Sequence, residues 1–512
     1  MSSLLPARPR QTLLVASAAC SLIILDTNIV AVSLPSITRD LGAGLADIEW
    51  VVSAYMLSFA SLLLPAGSLA DRFGRKRMLL CGLVLFILAS LGCGLATGSF
   101  SLDMARAVKG VGAAMLLTSA LACIGHAFHD DQQRARAWAF WGTCMGVVIT
   151  LAPVVGGFIT ATVGWRWIFL LNLPIGLVLM WGVKRGVDES RDTQAARLDP
   201  LGSLAFSTSL ALLVWGLIEA NRIGWESPTT LLRLAAGAAM LGTFIWIEKA
   251  QPRPMVDLQL LHYPRFIGAL LGMFAYAGTA QVMMTLLPFY LQNGLGFSTI
   301  NSGLGMLPFA LAMLVCPRMT ARLAAHHAPA TLMGTGLALV GMGNLLCAWA
   351  TSSGRYGDFA LAMIVTGAGA GMLNGDSQKN IMMCIPRDRA GMGSGMSTTM
   401  RFSSILLAFG AFGALLSSLL RAGLEAGLAG MKLPPWLSLA ELAARVAAGD
   451  LASTVRLLPP ALSEQVTHLA PLAFRAAFHG VLLAAGVAAL CLSIIVGLLL
   501  RQPLPVLRVQ VH

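Results

Sequence analysis

The sequence predicts an all-α integral membrane protein with fourteen transmembrane helices. Of its 512 residues, 57% are hydrophobic and only 11% are charged, and the mean hydropathy is +0.76. Soluble domains carry about 25% charged residues, so this composition excludes a soluble globular class. Apolar stretches of about 20 residues, the length at which a helix crosses a bilayer, recur along the whole chain.

We assign the spans to these apolar stretches, which end at charged residues, prolines or glycines. In chain order they are residues 12–34, 48–69, 78–98, 102–122, 136–160, 165–184, 200–220, 229–248, 266–292, 299–321, 329–350, 358–384, 391–420 and 472–500.

The net charge of +12 reflects membrane topology rather than a nucleic-acid partner. If the spans alternate in direction, the basic clusters at residues 72–77, 184–185 and 387–389 all fall on one side of the membrane. Short loops rich in Lys and Arg stay in the cytoplasm, so both termini are expected there, and the even number of spans agrees. We therefore expect a multi-pass protein of a bacterial cytoplasmic (inner) membrane.

The N-terminal residues resemble a signal peptide or a lipoprotein site, because Arg8 and Arg10 precede the string VASAAC, which ends at Cys20. The apolar run continues past Cys20, and Ser17 is a poor residue three positions before a lipidated cysteine. An uncleaved first span is expected instead. The nine cysteines lie singly in apolar helices without metal-ligand spacing, so neither a disulfide framework nor a metal or other cofactor is expected.

Two polar, proline-containing linkers, residues 184–200 and 248–265, divide the chain into six, two and six spans. The predicted domains are a six-helix half over residues 1–190, two additional spans over 191–260, and a second six-helix half over 261–512.

One long segment, residues 421–471, does not span the membrane and is expected on the outer side. Residues 436–449 alternate apolar and charged side chains at helical spacing, which predicts a short surface helix. The segment is interpreted as a folded extracytoplasmic hairpin without chemistry, with a lid over the outer mouth or a partner site as the alternatives.

Three strings carry recognisable patterns: LDTNIVAVSLP (residues 25–35), GSLADRFGRKR (67–77) and GWRWIFLLNLPIG (164–176). They resemble the major facilitator superfamily, and most closely its fourteen-span drug:proton antiporter branch. The likeness extends to about residue 420. It implies a major facilitator fold, in which two six-helix bundles alternate about a central site, with two extra spans between them.

The chain departs from this branch in two motifs. The helix-4 motif keeps Arg106 but has Lys109 where glutamine is usual. The helix-5 antiporter motif keeps Pro153, Gly156 and Gly157, while two of its expected glycines are replaced by Val and Ala. This second motif implies that the direction of transport is export.

Three charged residues fall inside the N-terminal spans: Asp26, Arg106 and Lys109. At about 1.5 Å per residue they lie ~12, ~6 and ~10 Å below the outer boundary. A charge at such depth costs at least ~2.5–3.5 kcal/mol, which makes it a functional candidate. Arg106 and Lys109 share a helix face, so all three can meet. We expect proton coupling, with Asp26 as the main group; a static salt bridge between helices 1 and 4 is the alternative.

The C-terminal half has its own charged set, Asp376, Lys379 and Arg401, which would line a cavity. Asp376 and Lys379 are three residues apart and can satisfy one another. A substrate or proton role and a self-paired set near the inner rim remain open.

The loop after helix 2 has a mechanical interpretation. Its acidic residue, Asp71, can accept hydrogen bonds from a helix N-terminus, where the helix dipole is positive. The resemblance implies a cytoplasmic gate; topology-setting charges alone would not explain the loop's glycines or its acid. The gating candidates are Gly67, Asp71, Arg72, Gly74, Arg75 and Arg77.

The predicted function is that of a proton-coupled secondary transporter, not an enzyme, that exports amphipathic drugs or toxic compounds. Its expected partners are a small-molecule substrate, protons and membrane lipid, and the chain is expected to be a monomer; an accessory envelope partner is left open. No GxxxxGK[ST] string is present, which argues against ATP drive. The alternatives are a proton-coupled exporter or importer of an anionic metabolite and, more remotely, a non-transporting receptor or enzyme.

Overall fold

Helices account for every regular element in the part of the chain that the structure describes. The computed structural model describes residues 7–42, 45–128, 130–191, 200–250, 258–323, 326–385, 390–429, 431, 433–434, 437–449 and 451–503.

The helices follow the predicted spans in order. The first nine are α1 (Ala7–Leu41), α2 (Leu45–Phe73), α3 (Arg75–Gly94), α4 (Ser99–Ala127), α5 (Asp131–Thr162), α6 (Arg166–Leu170), α7 (Asn172–Gly186), α8 (Pro200–Ile223) and α9 (Pro228–Ala250). The remaining ten are α10 (Pro264–Tyr276), α11 (Met283–Phe289), α12 (Thr299–Gly305), α13 (Leu307–Leu323), α14 (Pro329–Ser353), α15 (Tyr356–Met383), α16 (Ala390–Gly427), α17 (Leu439–Ala448), α18 (Leu451–Arg456) and α19 (Pro460–Leu500).

Thirteen helical stretches among the described residues are long and apolar enough to cross a membrane. Within α2, the residues Glu49–Leu63 form a shorter apolar stretch at the position of the second predicted span. Each of the fourteen predicted spans therefore coincides with one helix or with consecutive helices. The prediction of an all-α integral membrane protein is confirmed.

The ninth predicted span contains two π-helical segments, Ala277–Gln281 and Tyr290–Gly294, on either side of α11. A short 3-10 helix, Leu258–His262, precedes this span. Each π-helical turn accommodates an extra residue, and such turns are common at functional positions. The side chains beyond each segment are therefore rotated relative to those of a regular helix.

The segment between the last two long helices is shorter than the predicted hairpin, because α16 continues to Gly427 and α19 begins at Pro460. Backbone hydrogen bonding carries both helices past the apolar residues from which the spans were predicted. Between them, α17 occupies the position of the predicted surface helix. Its N-cap, Ser438, accepts a hydrogen bond from the backbone N–H of Glu441, and it ends at Gly449 with φ +82°.

The chain forms two compact units. Unit 1 comprises Met1–Leu212, Ala236–Phe244 and Ser298–Leu304, and unit 2 comprises Leu213–Ala235, Ile245–Phe297 and Gly305–His512. The predicted division into domains of six, two and six spans stays a prediction.

Glycines allow close helix crossings inside each unit. In unit 1 a Cβ added to Gly82 of α3 would lie 2.9 Å from the backbone nitrogen of Leu116 in α4. In unit 2 a Cβ on Gly371 of α15 would lie 2.8 Å from the carbonyl oxygen of Met313 in α13. Any side chain at these positions would push the helices apart. The first crossing holds α4, which carries Arg106, against α3.

Candidate functional site

Asp26 lies at the centre of a buried polar cluster in unit 1. Arg106 donates from Nη1 to Asp26 Oδ2 at 3.0 Å, and Lys109 donates from Nζ to Asp26 Oδ1. Asn172 donates from Nδ2 to the same Oδ1 at 3.0 Å. None of the four residues is more than 1% exposed. The structure thus brings together the three residues that the sequence singled out and adds Asn172.

Arg106 is fixed on two further sides by α2. Its Nε donates to the carbonyl oxygen of Val51 at 2.9 Å, and its guanidinium carbon lies 4.3 Å from the ring centroid of Tyr55. A guanidinium over an aromatic face is attracted by the ring quadrupole. Arg106 therefore has a carboxylate, a carbonyl and an aromatic ring as partners.

Two aromatic rings lie beside the ammonium of Lys109. Its Nζ lies 4.7 Å from the ring centroid of Phe86 and 4.9 Å from that of Phe169. Phe86 lies on α3 and Phe169 on α6, and both rings are fully buried. Excluding water strengthens the electrostatic interactions of the cluster and raises the cost of any unpaired charge in it.

The loop between α2 and α3 is tied to the segment that follows α7. Gly74 has φ +112°, a backbone conformation that favours glycine, and a Cβ there would lie 2.6 Å from Glu189 Oε1. That oxygen accepts a hydrogen bond from the backbone N–H of Lys76 at 3.0 Å, while Oε2 lies 3.7 Å from Arg77 Nε. Glu189 therefore places a negative charge at the N-terminus of α3, where the helix dipole favours it.

Other gating candidates contribute backbone contacts or remain exposed. The backbone N–H of Arg75 donates to the carbonyl oxygen of Ser190 at 3.0 Å. Arg72 is exposed, and its guanidinium carbon lies 5.7 Å from the ring centroid of Phe73. A Cβ on Gly67 would meet Thr118 only at an ordinary 3.9 Å. The side chain of Asp71 lies outside the described residues.

The three residues of the antiporter motif lie in α5 at close helix contacts within unit 1. A Cβ on Gly156 would lie 2.8 Å from the carbonyl oxygen of Ile29 in α1, and one on Gly157 would lie 2.7 Å from that of Thr299 in α12. In return, a Cβ on Gly303 would lie 2.5 Å from the carbonyl oxygen of Pro153. Glycine is therefore required on both sides of the contact between α5 and α12.

Arg401 belongs to a second polar cluster, in unit 2. Its Nε donates to Gln281 Oε1 at 2.6 Å, and its Nη2 lies 3.4 Å from Asn374 Oδ1, which also accepts from the Tyr276 hydroxyl at 3.1 Å. Within the described part of the chain no carboxylate lies within 4 Å of the guanidinium. The charge of Arg401 is thus held by neutral acceptors.

The structure does not unite the other two residues of the predicted C-terminal set with Arg401. Asp376 is half-buried, and its Oδ2 has no hydrogen-bond partner among the described residues. Lys379 is exposed, and the two form no ion pair. Over the described ranges there is also no group of three His, Cys, Asp or Glu side chains that could hold a metal ion.

Residues 16–409 match the family model of the Major Facilitator Superfamily, which covers most of the chain. The chain belongs to the Major Facilitator Superfamily. The buried cluster, the loop after α2 and the antiporter motif all lie inside the matched residues.

Several superfamily relatives are about one-third identical to this chain. The Multidrug resistance protein Stp of Mycobacterium tuberculosis is 31% identical over 417 residues, covering 81% of this chain and 77% of that protein. The Methylenomycin A resistance protein of Streptomyces coelicolor is 33% identical over 350 residues, covering 68% of this chain and 74% of that protein. The Cephamycin export protein CmcT of Amycolatopsis lactamdurans is 32% identical over 408 residues, covering 78% of this chain and 82% of that protein.

Solved superfamily structures share the fold. The crystal structure of a bacterial homologue of the human lysosomal transporter Spinster, in an inward-facing and occupied conformation, gives a TM-score of 0.65 at 16% identity and covers 98% of both chains. A peptide transporter in complex with sulfate gives 0.63 at 13% identity and covers 96% of both chains. The family model and the relatives above identify the protein as a multi-pass membrane transporter and not an enzyme.

Sequence reasoning missed two residues that contact the candidate site residues. Asn172 lies in the string 164–176, where it is a polar residue in an apolar run, so a signal was present. Glu189 lies among several charged residues of a polar linker. No sequence feature distinguishes it from its neighbours, because its partner is a helix end more than 100 residues earlier.

Proposed function

We propose that this protein is a proton-coupled exporter of amphipathic drugs or other toxic compounds in a bacterial inner membrane, with both termini in the cytoplasm. Membership of the superfamily supports secondary transport. The relatives whose names refer to multidrug resistance, methylenomycin resistance and cephamycin export support drugs as the substrate class.

The buried cluster around Asp26 carries this proposal. A carboxylate, an arginine and a lysine in direct contact, with almost no solvent exposure, form a set whose protonation depends on access to water. If the cluster is exposed alternately to the two sides of the membrane, protons can be taken up on one side and released on the other. Each proton crossing 100 mV supplies about 2.3 kcal/mol for substrate movement.

The loop after α2 and the antiporter motif are proposed as the moving parts. The loop residues Gly67, Asp71, Arg72, Gly74, Arg75 and Arg77 would form a cytoplasmic gate, which Glu189 braces through the N-terminus of α3. Pro153, Gly156 and Gly157 would form a tightly packed seam of α5 that opens and closes during transport. The close contacts at Gly156 and Gly157 support this role, since a packed seam has few intermediate arrangements.

Transport in proteoliposomes with an imposed pH gradient tests the proposal, using a panel of amphipathic drugs. The wild type should accumulate at least one compound in response to the gradient, and Asp26→Asn should abolish gradient-driven transport while the protein remains folded. Asp40→Asn is the matched control, because Asp40 is an exposed acid on the same helix, paired with Arg166. Unchanged transport by Asp26→Asn would contradict the assignment of the cluster.

A second candidate function, transport of an anionic metabolite, is favoured by one observation. Both polar clusters carry excess positive charge: Arg106 and Lys109 share one carboxylate, and the hydrogen-bond partners of Arg401 among the described residues are neutral. An organic anion would compensate these charges. Transport of a matched lipophilic cation and organic anion by the wild type would discriminate between the candidates, since only the second candidate predicts a preference for the anion.

A further inference from the structure

We infer that the proton coupled to transport is carried by the side-chain nitrogen of Lys109, and that Asp26 remains ionised as its fixed counter-ion. The inference rests on the proposed function, since it assigns the proton to one atom of the proposed coupling cluster. Its starting point is the charge of the groups that contact one another.

The cluster contains one acid and two bases in direct contact. With Asp26 ionised and both bases protonated, its net charge is +1; with Lys109 as the neutral amine, the net charge is zero. Protonating Asp26 instead, with both bases charged, gives +2 in a site that excludes water. Because uncompensated buried charge is costly, the cycle that alternates between zero and +1 is favoured over the one between +1 and +2.

Among the two bases, only Lys109 can release a proton. The guanidinium of Arg106 stays protonated in proteins, whereas a lysine amine loses its proton readily when buried. The surroundings of Lys109 suit both of its forms. The ammonium is held by Asp26 and the faces of Phe86 and Phe169, and the neutral amine can still donate to Asp26 beside these apolar rings.

A proton on Asp26 would find no free acceptor on the three described side chains that donate to this carboxylate, as they are now oriented. Both carboxylate oxygens already accept hydrogen bonds, from Arg106, Lys109 and Asn172. Arginine and protonated lysine have no acceptor atoms. Only Asn172 has one, and offering it would require the amide to turn and lose its present bond. The hydrogen bonds therefore favour the ionised carboxylate.

Other titratable groups lie near the cluster. Among the described residues, Cys93 of α3 interacts electrostatically with Lys109, as do Asp26 and Arg106. On α2, Tyr55 interacts with Asp26 and Arg106, and on α4, Asp103 interacts with Arg106 and with Asp47 of α2. Glu49 of α2 is also buried. Among the described residues, Asp26 supplies the carboxylate within ion-pair distance of Arg106 and Lys109, so the groups in direct contact carry one negative charge against two bases.

The proposed proton step is a simple exchange with water. On the outer side, neutral Lys109 takes a proton from hydronium, so that an N–H bond forms and a water molecule is released. On the inner side, that N–H bond breaks and the proton returns to water. Asp26 and Arg106 keep their charges throughout, and substrate moves in the opposite direction.

Replacing Lys109 with arginine tests the assignment, because Lys109→Arg keeps a positive hydrogen-bond donor but cannot release its proton. We expect transport driven by a pH gradient to fall at least tenfold, while substrate counterflow, which needs no net proton movement, is retained. Lys249→Arg, the same change at an exposed lysine in the last turn of α9, should leave both activities unchanged. If Lys109→Arg keeps its gradient-driven transport, the inference is wrong and Asp26 is the carrier.

A second measurement uses the unmodified protein, in case Lys109→Arg does not fold. The chain has six lysines, so the ε-carbon signals of ¹³C-lysine can be followed by NMR during a pH titration. One signal should change position over the pH range in which transport is proton-driven. If all six stay at the ammonium position over that range, the inference is overturned. If the wild type shows no proton-driven transport at all, the proposed function fails instead.

Discussion

Replacing Asn172 with leucine should lower the free energy of unfolding measurably and impair proton coupling. Leucine keeps the branched outline of asparagine but cannot donate to Asp26. Asn172 is 1% exposed, and its bond to Asp26 Oδ1 is 3.0 Å long and joins α7 to α1. Its loss would remove the amide donor from the carboxylate and leave the orientation of Asp26 to Arg106 and Lys109.

The expected magnitude follows from a matched position. Asn344 is also 1% exposed and donates over 3.0 Å, but to a neutral acceptor, the carbonyl oxygen of Thr279. Interhelical hydrogen bonds in membrane proteins contribute about 0.6 kcal/mol on average and at most about 1.7 kcal/mol. Bonds to charged groups are the stronger ones, so Asn172→Leu should cost about 1.7 kcal/mol and Asn344→Leu about 0.6 kcal/mol.

Equilibrium unfolding in mixed micelles measures both variants against the wild type. The difference of about 1 kcal/mol corresponds to roughly a sixfold difference in the unfolding equilibrium constant. Gradient-driven transport should fall in Asn172→Leu and persist in Asn344→Leu. If both variants lose the same free energy of unfolding and Asn172→Leu keeps its proton coupling, the hydrogen bond to Asp26 contributes no more than a bond to a neutral acceptor.

Three further predictions concern the gate, the seam and the hairpin. Gly157→Ala should disturb the contact between α5 and α12 and reduce transport several-fold, whereas Gly142→Ala on the same helix meets open space and should be neutral or slightly stabilising; paired transport and unfolding assays decide. Glu189→Gln removes the charge at the N-terminus of α3, at a cost of about 0.3–1 kcal/mol, and should slow turnover without changing substrate affinity. A lower affinity with unchanged turnover would contradict this. Asn293→Leu breaks the bond to the carbonyl oxygen of Ala447 and should speed proteolysis of the hairpin; an unchanged cleavage rate would mean that other contacts hold α17.

Local sequence patterns predicted the spans and the partners of Asp26 well. Hydropathy over about 20 residues locates a membrane helix, and the three-residue spacing of Arg106 and Lys109 places both on one helix face. Depth estimated from helix rise was then sufficient to bring them to the level of Asp26. These inferences require only the sequence of a single helix, or a comparison of the membrane depths of residues on two helices.

The remaining partners depend on features that local patterns do not contain. Asn172 reaches Asp26 because the sixth span is interrupted at Leu171, between α6 and α7. Arg401 meets Gln281 at the end of a π-helical segment, which alters the helical register on which sequence reasoning depends. The expected pairing of Asp376 with Lys379 followed from spacing alone, but the lysine side chain is exposed and the acid is not.

The assignment of Ser298–Leu304 to unit 1 has a consequence for biosynthesis. The ribosome completes α5 long before it makes α12, so Gly157 and Pro153 emerge without their partner helix. Chains generally fold in order of synthesis, and an unfilled contact of this kind leaves a helix surface exposed in the meantime. Unit 1 can therefore reach its final packing only after residue 304 has been added, well after its first 212 residues have been synthesised.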